Sequence, residues 1–172
     1  MTEHLASTLE HCIPDIIEEW GQRAHHGELG SICAEERVAD LAQVLQAMSA
    51  ALDPHRVGSR AVDDFIEIAA AHGARRSSQG IRESCLFEEY DLLGVSVPLA
   101  LRRCLGAQLA PEDLESLEGG LTTAILAGLR GFHRGEFERR GSWPEAMARA
   151  ATEAKELAPR RTQPVRRHQD GL

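Results

Sequence analysis

Two short runs carry the residue types best able to do chemistry. His72 and Arg76 lie in IEIAAAHGARRSS, and Glu89 and Tyr90 follow in CLFEEYDLL. Phe65, Ala69, His72 and Arg76 recur at intervals of three or four, which puts them on one face of a helix. Cys85, Glu89, Leu92, Leu93 and Ser96 repeat the pattern in a second helix. Each helix therefore carries ionisable groups on an otherwise apolar face, and charge is costly to bury unless it is paired. Gly80 follows Arg76 at the distance where a helix can end in a left-handed turn. A turn there makes the two helices antiparallel neighbours and brings the Arg76 guanidinium to the Glu89 carboxylate, a match of planar fork to planar acceptor. His72 and Tyr90 are expected to complete the hydrogen bonding. Such a cluster is either a structural clasp or a binding site for a ligand or partner.

The other candidates are weaker. His133-x-x-Glu136 is the nearest approach to a metal pair, and it reads better as a solvated helix end. His25-His26 falls in a glycine-containing turn, HHGELGS. The four cysteines, Cys12, Cys33, Cys85 and Cys104, form no Cys-x-x-Cys and no zinc-like spacing. Cys85 and Cys104 are expected to be small core residues. No phosphate-binding glycine loop, nucleophile elbow or His-Glu-x-x-His is present. The expectation is no enzymatic activity, no metal and no cofactor. The alternative is a haem- or small-ligand-binding helical sensor in which His72 ligates the haem.

The elements that must hold these residues are helices. Hydrophobic residues make up 42% of the chain and aromatics only 4%, which favours an Ala- and Leu-filled core between helices over a sheet. A first helix is expected over Thr2 to about His25, bent or broken near Pro14, with Ile13, Ile16, Ile17 and Trp20 as its apolar face. A second runs over Ala34 to Leu52 on Val38, Leu41, Leu45 and Met48, and Asp53-Pro54 stops it. The two helices of the charged cluster cover about Ser59–Ser78 and Glu83–Leu105. Pro111 opens the longest helix, to about Arg140. The fold class is all-α: an antiparallel bundle of about five to six helices, with a globin-like arrangement among its forms.

The long helix carries small residues at Gly120, Ala124, Gly128, Gly131 and Gly135. Glycine inside a helix costs about 1 kcal/mol relative to alanine, so the stripe needs a close neighbour. Either another helix of the chain or a second subunit supplies it, and the five positions are candidates for an oligomer interface. After residues 1–141, a short helix is expected within 142–158. A disordered basic tail follows over 159–172, with four arginines and two prolines. The net charge of −8 argues against nucleic acid or anionic membrane as partner of the body. Met1–Leu9 is polar and acidic, and no apolar run reaches the ~20 residues of a membrane span. A cytoplasmic protein with reduced thiols is expected.

The run His72-x-x-x-Arg76-x-x-x-Gly80, with Glu89-Tyr90 and then Leu92-Leu93 beyond it, resembles the N-terminal domain of the RsbRD family of bacterial signalling proteins. Similar input modules precede some histidine kinases. Pro14, Ile16, Ile17 and Trp20 resemble that family's first helix, and the likeness spans roughly Leu5 to Glu136. Gly94 stands where the family pattern has a basic residue. The resemblance implies a non-catalytic sensory or regulatory input domain, linked to stress response, acting through a kinase or regulator partner or through a homodimer. It also makes His72, Arg76, Glu89 and Tyr90 the ligand or interaction candidates.

Overall fold

The computed structural model describes residues 2–24, 34–56, 60–105 and 109–140, and every regular element among them is a helix. The order is α1 (Thr2–His11), α2 (Ile13–Arg23), α3 (Ala34–Leu52), α4 (Arg60–Ser78), α5 (Glu83–Leu105) and α6 (Pro111–Arg140). The chain divides into two units, Met1–Arg139 and Arg140–Leu172. Beyond Arg140 the second unit lies outside the described residues, and with it the expected short helix and basic tail. His25-His26 and Cys33 also fall outside. Among the described residues no helix is long and apolar enough to cross a membrane.

Proline and glycine set the punctuation. The expected break near Pro14 is a full one: α1 ends at His11, Cys12 is the joint, and a new helix starts with the proline in its first turn, where its missing N–H is no loss. Asp53-Pro54 follows the last residue of α3, and Asp53 Oδ1 accepts from the His55 N–H. At the end of α4, Gly80 has φ +75°, the sole positive φ among the described residues. The Gly80 N–H donates to the Ser77 carbonyl, and the Ile81 N–H donates to the Arg76 carbonyl, at 3.0 and 3.2 Å. This is the paired closure that satisfies a helix's last carbonyls through a left-handed glycine. The turn to α5 is thus tied to the backbone of Arg76, whose side chain reaches into the site. Nothing lies within 4 Å of a Cβ at Gly80. Gly80→Ala should therefore cost only the backbone penalty, about 1–2 kcal/mol, read as a lower urea midpoint with the fold retained.

The apolar faces read from the spacing are the buried ones. Ile13, Ile16, Ile17 and Trp20 of α2, Leu41, Leu45 and Met48 of α3, and Phe65 and Ala69 of α4 all enter one core. Val38 is the exception and is exposed. Ser49 of α3 donates to the Ala6 carbonyl at 2.7 Å and ties α3 to α1.

The small-residue stripe of α6 is covered inside the chain, which corrects its reading as an oligomer interface. A Cβ at Gly131 would lie 1.8 Å from the Ala70 carbonyl oxygen, and one at Gly73 would lie 1.8 Å from that of Gly128. Gly135 faces Ala74 and Ser77 of α4, Gly120 faces Met48 of α3, and Gly128 also faces the Tyr90 ring. Ala124 is fully buried. Helices α4 and α6 meet backbone to backbone at Gly73 and Gly131, where any side chain larger than hydrogen is excluded.

Candidate functional site

Arg76, Glu89 and His72 each have zero solvent exposure. The register of α4 and α5, fixed by the Gly80 turn, sets the first two against each other. Arg76 Nη2 donates to Glu89 Oε1 at 2.8 Å, and Nε donates to Oε2 at 3.0 Å, a two-pronged match. The third nitrogen, Nη1, turns toward α3 and donates to Asp40 Oδ2 at 2.9 Å and to Gln79 Oε1 at 3.1 Å. Arg75 Nη2 is paired with the other oxygen of Asp40 at 2.9 Å. Two arginines and two carboxylates thus alternate across three helices, and each buried charge has a partner of opposite sign.

His72 comes from the turn before Arg76 and places Nε2 3.0 Å from Glu89 Oε2. A carboxylate only accepts, so Nε2–H is the donor. Nδ1 is buried and has no hydrogen-bond partner among the described residues. Tyr90 departs from expectation. Its ring lies edge-on to His72 at 5.7 Å between centroids, but its hydroxyl bonds to none of the described groups. Tyr90 packs against the cluster without completing it. On the other side of α5, the Trp20 indole N–H donates to the Glu89 carbonyl at 3.2 Å and fastens α2 to the same residue.

The electrostatics follow from this enclosure. Burial pushes the Glu89 carboxyl up, but the hydrogen bonds and charges of His72 and Arg76 outweigh it and bring the pKa from 4.5 down to about 2. Burial lowers that of Arg76, and Glu89 with Asp40 more than restores it. Burial, and then the Glu89 charge, push the Tyr90 phenol up, so it stays protonated. Because the Glu89 pKa is depressed by folding, its contribution is fully present above about pH 4.5 and is lost as pH falls toward about 2. The amount is on the order of 3 kcal/mol. Urea midpoints measured across that window should fall steeply for the native protein and less steeply for Glu89→Gln. Parallel curves would show that Glu89 does not carry the acid sensitivity.

Sequence reasoning named three bonded members of this cluster, His72, Arg76 and Glu89, and missed Asp40, Gln79 and Trp20. Asp40 was legible in principle: it precedes the buried Val44 and Ala47 by one and two turns on the same face of α3. Glu19 was missed as well. It is a second buried carboxylate, held by Arg23 of its own helix and by Arg103 of α5. Cys104, expected in the core, is exposed: it lies on the solvent side of the last turn of α5, while Leu101 and Leu105 of that turn pack against the core. His133 is also exposed, near Glu83 and Glu136 at 3.6 and 4.0 Å.

A haem liganded by His72 does not fit these residues. Nε2 is taken by Glu89, the ring packs in a T-shape with Tyr90, and the adjoining Gly73 is in backbone contact with Gly128. A macrocycle beside His72 would have to part α4 from α6. Compared with protein families, curated proteins and solved structures, the chain gives no match.

Proposed function

We propose that the chain is a non-catalytic signalling input domain of the cytoplasm that acts by binding another protein, such as a kinase or a regulator. The observation that carries this reading is the enclosure of its charged cluster. Arg76, Glu89 and His72 are bonded to one another at zero exposure, and a carboxyl held near 2 neither gives nor takes a proton at neutral pH. The cluster is suited to fixing the relative placement of α3, α4 and α5, which is what a relay of conformational signals needs. The motif resemblance to RsbRD-type input domains points the same way.

The partner-facing surface in this reading is the outer face of α6. Leu126 and Phe137 are 63% and 61% exposed, the most exposed of the large apolar side chains described. Their spacing is about three helical turns, so they share a face. Apolar residues repeated along one exposed face mark interaction surfaces more than single ones do. The test is calorimetric titration of the chain against signalling proteins encoded beside it. A complex is expected, weakened at least about tenfold by the pair Leu126→Arg and Phe137→Arg, in line with loss of interface anchors. A complex indifferent to that pair would refute the surface. Absence of any complex, together with turnover of a small substrate, would refute the reading as a whole.

A further inference from the structure

Outside the charged cluster, the fold gathers a second group of side chains that the sequence spacing does not announce. Cys12 stands at the joint of α1 and α2, Asp15 lies in the first turn of α2, and Cys104 lies in the last turn of α5. Their two sulfurs and a carboxylate oxygen all lie within 4.8 Å of one another. The Cys104 thiol donates to Asp15 Oδ2 at 3.3 Å. We propose that Cys12, Asp15 and Cys104 bind one thiophilic divalent cation of the zinc class.

The geometry is close to what such an ion needs. Tetrahedral zinc with Zn–S near 2.3 Å and Zn–O near 2.0 Å sets its sulfur and oxygen ligands about 3.5 Å apart. The Cys104–Asp15 contact, at 3.3 Å, is close to that length, and the Cys12 sulfur lies within 4.8 Å of both atoms. Asp15 and Cys104 also line a cleft of ≈ 280 Å³ with Glu18, Glu19 and Arg103, which leaves room for a fourth ligand. Water fits there, and Glu18 lies one turn beyond Asp15 on the same face of α2. The set of two thiolates and a carboxylate selects a borderline-soft ion over magnesium or calcium, which take oxygen ligands. A thiol–disulfide switch is the other use of paired cysteines, and the surroundings oppose it. Reactive thiolates sit in electropositive places. Here a carboxylate lies against Cys104, and Arg103 is held by Glu19. A divalent cation removes the same crowding of anions. Once bound, it would staple the start of α2 to the end of α5.

The experiment uses the full chain, reduced, with cobalt(II) as the probe and zinc as competitor. One equivalent of cobalt should give the thiolate charge-transfer band and the intense visible bands of tetrahedral coordination. Zinc should abolish both, and either ion should raise the melting temperature. Cys104→Ser and Asp15→Asn change exposed side chains, so the metal-free melting point should hold. The first should lose at least half of the charge-transfer intensity, since one of two thiolates is gone, and the second should bind measurably weaker. Cys33→Ser should bind as the native chain does. Weak octahedral spectra only, or a tetrahedral spectrum undiminished by Cys104→Ser, would overturn the proposal. So would a reduced protein that takes no metal yet forms a Cys12–Cys104 disulfide on mild oxidation.

Discussion

Arg76→Met is expected to destabilise the protein by about 3–5 kcal/mol, the usual cost of removing one partner from a buried ion pair. Methionine keeps much of the volume, so the loss is electrostatic. Among the described residues, Glu89 is left with His72, at zero exposure, and Asp40 with Arg75. Against a total stability of about 5–15 kcal/mol for a domain, this is a large part. Arg76→Lys should recover only a fraction, because a single ammonium cannot meet both Glu89 oxygens and reach Asp40 as well. Glu89→Gln keeps the shape and removes the charge. The cycle of Arg76→Met and Glu89→Gln in urea unfolding should show a coupling well above about 0.5 kcal/mol. A smaller value would mean that the two side chains do not meet, and the enclosure on which the functional proposal rests would be gone.

Gly131→Ala should be of similar severity for a different reason. The added methyl would lie 1.8 Å from the Ala70 carbonyl oxygen and 2.5 Å from its carbon. These are backbone atoms of α4 and cannot rotate away, so the two helices must separate. Overpacking ordinarily costs about 1–3 kcal/mol, and a clash that only whole-helix movement relieves belongs at or above the top of that range. Gly73→Ala meets Gly128 in the same way and should behave alike. Gly94 on α5 is the control. It is exposed, with nothing within 4 Å of an added Cβ, so Gly94→Ala should stabilise by about 1 kcal/mol through helix propensity alone. Thermal melts of the variants decide the matter. A Gly131→Ala protein that melts with the native would show that α4 and α6 are not in backbone contact.

What could be read from the sequence was what repeats along one helix. The faces through Phe65, Ala69, His72 and Arg76, and through Cys85, Glu89 and Leu93, are buried as the spacing requires. Gly80 marks the turn because its positive φ disfavours residues with a Cβ. These local signals sufficed to pair Arg76 with Glu89, since the two helices are joined directly. Contacts between helices distant in the chain left no such signal. Asp40 reaches Arg76 from α3, and no period in α3 names its partner. The glycines of α6 announced a close approach, but only the assembled bundle shows that α4 makes it. Cys12 and Cys104 meet because α2 and α5 lie together. Tyr90 misled for the opposite reason: adjacency to Glu89 in sequence does not turn its hydroxyl toward the cluster.

The bond from the Trp20 indole to the Glu89 carbonyl gives the protein an optical reporter of its own interior. The indole is nearly fully buried, with the Arg37 guanidinium 5.9 Å from its ring centre. Its emission therefore responds to any shift of α2 against the residue that holds the buried charges. The same helix begins beside Cys12 and Asp15, so a cation seated there would press on the chromophore through a rod of about two turns. With Trp143, the second tryptophan, replaced by phenylalanine, fluorescence would follow acid loading of Glu89 and cation loading of the thiols in one cuvette, without a label.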